Sequence, residues 1–173
     1  PVIVSVGNVA ASGGYYISLA ADSIFVNKGS IIGSIGVIMA YPIMTELLDK
    51  IGIDFETVKS GKLKDSGSFS RAVSEEDRKH FSDLISNIYD QFIDIVEKNR
   101  PLERSKILEL ADGRVFTGSM SKELGLVDEI GTFEKAISVA GDLGNIIGKP
   151  KTVRIERKSN IIKDLLSAKL KNK

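Results

Sequence analysis

The first 21 residues carry no charged side chain, and they change character half-way. Residues 2–6 form an apolar, β-branched run that is typical of a buried strand, whereas residues 15–21 are helix-like. Between them lies Ser12-Gly13-Gly14, where glycine lets the backbone take a positive φ or approach another segment closely. The opening therefore predicts a buried strand, a tight turn containing a serine, and a helix. It does not predict a membrane-spanning helix.

Two interpretations of Ser12 are open at this point. The serine either belongs to a turn that only connects a core strand to a core helix, or it is a nucleophile held on that turn. The first backbone N–H groups of a helix lack partners and carry partial positive charge, so the N–H of Gly13 would suit a developing oxyanion. Spacing alone does not decide between the two.

Cysteine is absent from the 173 residues, and histidine occurs once, as His80. These counts exclude disulfides, thiol catalysis, cysteine-based zinc sites and sites with several histidines, and we expect no metal or cofactor. With 42% hydrophobic and 27% charged residues, the composition is that of an ordinary soluble globular protein. The length suffices for one domain with a full core.

Glycine, proline and capping residues divide the rest of the chain into interleaved strands and helices, which predicts an α/β fold. One expected strand contains three glycines, and interior glycine often marks a bulge or a close approach of another backbone. The expected strands cover residues 23–27, 29–40, 54–58 and 152–155. The expected helices cover residues 42–51, 74–98, 102–111 and 132–143, with a small additional helix ending at residue 124.

The longest expected helix begins at Ser74, because Ser74 and Asp77 resemble a capping box. Apolar residues follow at the i, i+3, i+4, i+7 spacing of one buried helix face. His80 lies beside this stripe in a charged neighbourhood, so we expect a surface or boundary histidine rather than a catalytic one. The stripe consists of Phe81, Leu84, Ile85, Ile88, Tyr89, Phe92, Ile93 and Val96.

A serine hydroxyl is a poor nucleophile unless a neighbouring base accepts its proton. His80 is one candidate base, and lysine is the other, because serine–lysine pairs perform the same chemistry. An ordinary lysine has a pKa of about 10.4, which burial lowers. The polar loop 59–68 offers three lysines, and residue chemistry alone does not choose among them; Ser30 or Ser34 could orient the lysine nitrogen. The three are Lys59, Lys62 and Lys64.

Four segments together resemble the signal peptide peptidase A (SppA) family, Ser/Lys peptidases of the ClpP/crotonase fold. They follow the order and spacing of that family over about residues 1–145. The segments are Ala10-Ala11-Ser12-Gly13-Gly14-Tyr15-Tyr16, Gly33-Ser34-Ile35-Gly36-Val37, Lys59-Ser60-Gly61-Lys62-Leu63-Lys64-Asp65, and Asp112-Gly113-Arg114-Val115 through Gly125-Leu126-Val127-Asp128-Glu129. The resemblance implies an α/β fold of repeated ββα units in which the N-terminal part of the catalytic domain is missing.

By this resemblance, Ser12 matches the family nucleophile and Lys64, which immediately precedes Asp65, matches the general base. Ser34 matches the hydroxyl that orients the lysine nitrogen, and the N–H of Gly13 matches one oxyanion donor. The family's second donor would lie upstream of this chain.

The resemblance also implies that the glycine-rich stretch pairs with an extended substrate by backbone hydrogen bonds, through Gly33, Ile35, Gly36 and Val37. The chain departs from the family pattern at Phe69, where proline is common. This departure bears on the conformation of that loop and not on the serine–lysine pair.

The implied activity is endopeptidase hydrolysis of hydrophobic peptides, such as cleaved signal peptides, through an acyl-enzyme in a ring-like homo-oligomer. The parent protein would be held at a membrane by an anchor upstream of this chain, with its catalytic domain on the extracytoplasmic face. Two alternatives remain open. A crotonase-type acyl-CoA enzyme would not need the Ser12 hydroxyl, and a catalytically silent scaffold of the same fold would need no base.

Charge is unevenly distributed along the chain: residues 149–173 carry a net charge of +7 and residues 1–148 a net charge of −6. A basic end could meet an anionic membrane, a nucleic acid or an acidic subunit, but we expect it to be solvated and to bind no nucleic acid. We therefore divide the chain into a partial SppA-like catalytic domain, residues 1–148, and a basic strand with an amphipathic tail, residues 149–173.

Overall fold

The computed structural model describes residues 1–155. Strands and helices alternate along this part of the chain, which gives a mixed α/β fold. The strands are β1 (Ile3–Val6), β2 (Val9–Ala11), β3 (Ser23–Val26), β4 (Ile31–Gly33), β5 (Val115–Thr117) and β6 (Glu129–Ile130). The helices are α1 (Gly13–Ser18), α2 (Thr45–Ile51), α3 (Glu75–Asn99), α4 (Arg104–Leu110), α5 (Gly118–Glu123) and α6 (Phe133–Leu143). A 3-10 turn, Lys62–Asp65, lies between α2 and α3.

The six strands form two sheets of three strands each. The first has the order β1-β3-β6, with both pairs parallel. The second has the order β2-β4-β5, in which β2 and β4 are parallel and β4 and β5 antiparallel. The chain passes from the first sheet to the second between Val6 and Val9, so the strand that leads into the serine turn is β2. The apolar run of residues 2–6 is a strand as predicted, but it lies one strand further upstream than we expected.

One hydrophobic cluster joins both sheets to α1, α4 and the second half of α3. Tyr15 of α1 is fully buried in it, and its hydroxyl donates to the backbone oxygen of Leu126 at 2.7 Å. Burial raises the pKa of this phenol. Arg100, just after α3, donates to the Asp128 carboxylate at 2.9 Å, and Asp128 also accepts from the N–H of Ile24 in β3 at 2.7 Å. The burial and hydrogen bond of Tyr15 fix α1, and therefore the turn before it, against the core.

Three strand predictions are wrong in whole or in part. Residues 54–58 form no strand; Phe55 and Val58 are exposed, and this segment pairs with neither sheet. The glycine-rich strand predicted over residues 29–40 is ordered as a strand only over Ile31–Gly33. Residues 152–155 are also irregular. A strand needs a neighbour for its backbone groups, and alternation within a segment does not reveal whether the fold supplies one.

The helix predictions agree with the structure better than the strand predictions do, because helix caps depend on residues that are close in the sequence. Ser74 and Asp77 form the predicted capping box of α3, and the Thr132 hydroxyl accepts from the N–H of Lys135 at the start of α6. Gly52 ends α2 in the left-handed conformation, although α2 begins at Thr45 rather than at Pro42. The predicted amphipathic tail around residues 161–166 lies outside the described residues.

The apolar stripe of α3 is buried in its second half only. Phe92, Ile93 and Val96 are buried, whereas Leu84 and Ile88 are exposed, which corrects the prediction of one continuous buried face. His80 is exposed, in agreement with the surface position predicted for it. None of the helices in residues 1–155 combines the length and the apolar character that crossing a membrane requires.

Candidate active site

Ser12 occupies a strained turn between β2 and α1. Its φ of 51° and ψ of −122° place a residue with a Cβ in a region that such residues rarely adopt. The conformation is held from both sides, because the Ser12 N–H donates to the oxygen of Gly33 at 2.8 Å and the Ser12 oxygen accepts from the N–H of Tyr16 at 2.9 Å. Strain of this kind costs about 1–3 kcal/mol and concentrates at functional sites.

Ser34 is strained in the same way, with φ of 50°. Its N–H donates to the oxygen of Arg114 at 2.8 Å, at the end of the β4–β5 pairing. Three residues other than glycine have positive φ within residues 1–155, namely Ser12, Ser34 and Asn145. Two of the three are therefore the serines that the sequence marked as nucleophile and lysine-orienting hydroxyl.

Gly33 makes this arrangement possible. Its φ is +91°, and a Cβ built there would lie 2.8 Å from Cδ2 of Phe116 and 3.1 Å from the oxygen of Arg114. The first distance is shorter than real Cβ contacts and the second is tighter than most of them, so the close approach of β5 depends on glycine at residue 33. The same residue supplies the oxygen that holds the N–H of Ser12.

Both serines line one cavity of about 890 Å³. Most of its wall is apolar and comes from α1, the segment after β4 and α3, and such walls suit hydrophobic ligand groups. The Tyr89 hydroxyl donates to the oxygen of Ala111 at 2.9 Å, which fixes α3 to the far wall. The lining consists of Ser12, Gly13, Tyr16, Ser34, Gly36, Val37, Ile38, Ile88, Tyr89, Phe92, Ala111, Asp112 and Gly113.

The Ser12 hydroxyl is not used to cap α1. Gly13, the first residue of that helix, is exposed and lines the cavity beside it. The N–H at such a position has no partner four residues earlier in the helix, so it is available to an oxygen atom bound next to Ser12. The predicted nucleophile and the predicted oxyanion donor therefore line the same cavity.

The predicted substrate stretch is divided by the fold. Gly36 and Val37 line the cavity, whereas Gly33 and Ile35 are buried and do not. The oxygen of Ile35 already accepts from the N–H of Gly113 at 3.1 Å, and the N–H of Ser34 is paired with Arg114. Backbone groups open to a substrate are therefore those of Gly36 and Val37, beyond the end of β4.

The structure distinguishes the three lysines of the loop. Lys59 Nζ is already hydrogen-bonded within the loop, because it donates to Asp65 Oδ1 at 2.7 Å and to the oxygen of Lys62 at 3.1 Å. Lys62 is exposed and lies 4.0 Å from the Glu76 carboxylate. Lys64 is exposed on the 3-10 turn, forms no ion pair within the described residues, and does not line the cavity of Ser12. In this single chain the structure does not bring Lys64 into the cavity with the two serines.

Asp112 is a charged residue of the cavity wall that the sequence argument did not single out. It accepts from the backbone N–H and from the guanidinium of Arg114, and this guanidinium lowers the pKa of the carboxyl to about 2. The aromatic wall residues Tyr16, Tyr89 and Phe92 were also missed as site residues. Tyr16, four residues after Ser12, shares its side of α1, which was the one available signal; the positions on α3 depend on tertiary packing.

Within residues 1–155, no cluster of three histidine, aspartate or glutamate side chains is arranged to hold a metal ion. A model of the family described as peptidase family S49 matches residues 1–146. The chain belongs to peptidase family S49. This match agrees with the resemblance of the four sequence segments to the SppA family.

Curated relatives of this S49 chain carry protease names. It is 43% identical over 145 residues to a putative protease of Synechocystis, covering 84% of this chain and 52% of the relative. It is 42% identical over 137 residues to a putative signal peptide peptidase SppA of Enterococcus faecium, covering 79% and 40%. It is 39% identical over 145 residues to protease 4 of Haemophilus influenzae, covering 84% and 23%. The S49 chain thus spans about half or less of the length of these relatives.

Proposed function

We propose that this S49 chain is the catalytic part of a serine peptidase in which Ser12 is the nucleophile and Lys64 the general base. The observation that carries the proposal is the strained Ser12, whose hydroxyl does not cap its helix and which shares an apolar cavity with a second strained serine. Family membership and the protease names of the relatives support the reaction class.

The proposed reaction is acyl transfer. The neutral amine of Lys64 takes the proton of the Ser12 hydroxyl as Oγ attacks the substrate carbonyl, and the Gly13 N–H donates to the resulting oxyanion. The Lys64 ammonium then returns the proton to the amide nitrogen as the C–N bond breaks and the amine product leaves. Lys64 next takes a proton from a water molecule as its oxygen attacks the Ser12 ester. The Lys64 ammonium then returns that proton to Ser12 Oγ as the ester C–O bond breaks, which releases the carboxylic acid and restores the free serine.

Ser34 is proposed to orient the lysine nitrogen. Its position in the wall of the same cavity, fixed by the hydrogen bond from its N–H to Arg114, supports this role. A hydroxyl that accepts from the lysine keeps the nitrogen lone pair aimed at Ser12 in the neutral state.

Lys64 must reach the cavity from outside, and we propose that assembly into a ring-like homo-oligomer completes the site. The segment between β4 and the lysine loop supports this, because it holds large apolar side chains in solvent, including Ile38, Leu47, Phe55 and Val58. Monomeric proteins rarely leave such a density of exposed apolar residues in one segment. Association would cover them and would bring a lysine loop onto a cavity.

The substrates we propose are hydrophobic peptides, such as remnant signal peptides. The aromatic and aliphatic wall built by Tyr16, Ile88 and Phe92 supports an apolar side chain next to the scissile bond. An extended peptide would pair with the backbone of Gly36 and Val37, which forms no backbone hydrogen bond within the described residues.

We also propose that the mixed α/β structure is a part of the ClpP/crotonase fold, with repeated ββα units. Strand–helix alternation and the small parallel sheets support this assignment. The parent protein is proposed to be membrane-associated, with its catalytic part on the extracytoplasmic face.

The test compares peptide hydrolysis by variants of the full-length protein. Ser12→Ala and Lys64→Ala are each expected to abolish hydrolysis of a hydrophobic reporter peptide, whereas the matched control Lys62→Ala is expected to retain it. Wild-type activity is expected to fall on acidification, because a protonated amine does not accept the serine proton.

Other outcomes would select other chemistry. Hydrolysis retained in Lys64→Ala removes Lys64 as the base, and a loss in His80→Ala would transfer that role to the histidine. Unchanged turnover in Ser12→Ala would exclude a serine nucleophile and would favour the crotonase-type alternative. A wild-type protein without hydrolytic activity in any assembled form would favour a silent scaffold.

A further inference from the structure

The loop that carries Lys64 folds around one buried carboxylate, that of Asp77 in the first turn of α3. This side chain is 1% exposed. It accepts from the Ser66 hydroxyl at 2.5 Å, from the N–H and hydroxyl of Ser74 at 3.0 and 2.7 Å, and from Nη1 and Nη2 of Arg71 at 2.5 and 3.0 Å. Arg71, followed by Ser66, holds the pKa of this carboxyl well below its usual range.

Arg71 extends this contact to the turn of Lys64 itself. Its Nη2 also donates to Asp65 Oδ1 at 3.0 Å, and Lys59 Nζ donates to the same oxygen at 2.7 Å. The two residues that bracket Lys64, at positions 59 and 65, are thereby joined to each other and, through the guanidinium, to α3. The planar, forked guanidinium suits such simultaneous contact with two carboxylates. The Lys64 side chain forms no ion pair within the described residues, so it is not a member of this cluster.

Capping of α3 does not account for these contacts. The capping box needs only Ser74 and Asp77, and it is complete without Arg71. Buried ion pairs add little net stability because the loss of hydration offsets their attraction; their best-attested effect is to select one conformation. The contacts of Arg71 are therefore better explained by the need to hold the lysine turn in one conformation.

We propose that Arg71 and Asp77 are positioning residues that hold the loop 59–66 in the conformation that presents the Lys64 amine to Ser12 of a neighbouring copy in the proposed assembly. The inference rests on the proposed serine–lysine mechanism and adds two residues that touch neither substrate nor nucleophile. Misplacement of a reacting group by about 1 Å costs about 100-fold in rate. Loosening this cluster is therefore expected to reduce kcat much more than it raises KM.

The experiment measures kcat, KM and thermal unfolding of full-length variants, with kinetics well below each unfolding temperature. Asp77→Asn removes the charge at constant shape, and Arg71→Lys keeps a cation but loses the fork. Each is expected to lower kcat by about 10- to 100-fold, with KM within about threefold of the wild-type value. Asp83→Asn makes the same change at an exposed position of α3 and is expected to keep kcat within about twofold.

A further control, Ser74→Ala, removes the helix cap but leaves Arg71 on both carboxylates. It is expected to lower the unfolding temperature and to keep most of kcat. A loss of kcat in this variant equal to that of Asp77→Asn overturns the inference, because helix stability alone would then govern the rate. If Asp77→Asn does not fold, Arg71→Lys decides alone. Normal kcat in Arg71→Lys, with Lys64→Ala inactive, defeats the positioning role and leaves the proposed mechanism standing. Activity in Lys64→Ala defeats the mechanism, and this inference with it.

Discussion

Because the Ser12 backbone is strained, we expect glycine at position 12 to give a more stable protein than alanine, which is the reverse of the usual order. In Ser12→Ala and Ser12→Gly the hydroxyl is equally absent, so the pair differs only in the Cβ. The native φ of 51° with ψ of −122° costs a residue with a Cβ about 1–3 kcal/mol. Glycine escapes this cost, but its greater freedom in the unfolded chain offsets about 0.5–1 kcal/mol. We expect Ser12→Gly to exceed Ser12→Ala in free energy of unfolding by up to about 2.5 kcal/mol.

The assay is urea unfolding of both variants, followed by circular dichroism at one pH and one protein concentration. Neither variant carries the proposed nucleophile, so self-cleavage does not disturb the measurement. Ser86, exposed in the middle of α3, provides the matched pair. There we expect the ordinary order, with the glycine variant about 1 kcal/mol less stable than the alanine variant.

The strain at Ser12 is refuted if the glycine variant is less stable than the alanine variant at position 12 as well as at position 86. A glycine variant at position 12 that is less stable than the alanine variant would mean that the turn relaxes without cost. Ser12 would then lose the feature that separates it from an ordinary strand-to-helix connection. A reversal seen only at position 12 would support a conformation maintained by the hydrogen bonds to Gly33 and Tyr16.

Two further predictions concern the surroundings of this turn. Gly33→Ala is expected to lower the free energy of unfolding by about 2–4 kcal/mol and to reduce hydrolysis, because the new Cβ would strike Phe116 and strain the backbone that holds Ser12. Gly29→Ala, where nothing lies within 4 Å of the new Cβ, should change stability in the same urea titration by about 0.5 kcal/mol or less. The hydrogen bonds of Arg71 and then Lys59 lower the pKa of Asp65 from 3.8 to about 2, so the folded state favours its carboxylate. This contribution to stability should be complete above about pH 4 and lost as the pH falls toward 2, and acid titrations of Asp65→Asn should lack that part of the pH dependence.

Sequence reasoning located the features whose causes are local. The capping box at Ser74 and the helix ends at residues 51 and 143 each depend on a few neighbouring residues, and all three occur where predicted. The strand expected over residues 54–58 failed because its alternation carries no information about a pairing partner. The second sheet was missed for the same reason, since β2, β4 and β5 have three residues each and are defined only by one another.

In the candidate site, too, the features with local causes were predicted and those that depend on tertiary packing were not. Ser12 and the two glycines after it predicted the turn, because this prediction depends only on the residues next to it in the sequence. Ser34 lines the same cavity as Ser12 because of the pairing of β4 with β5. Phe92 lines this cavity because α3 packs against α1, and neither pairing nor packing can be predicted from neighbouring residues. Residue chemistry did not choose among the loop lysines. The structure separates them, because Lys59 is engaged by Asp65 and Lys64 is not.

One side of the cavity wall comes from a part of the chain far from the turn that holds Ser12. Ile88, Tyr89 and Phe92 come from one helix, some 75 residues after the serine in the sequence. Substitutions in that helix can therefore change the apolar surface of the cavity without altering the hydrogen bonds that hold Ser12.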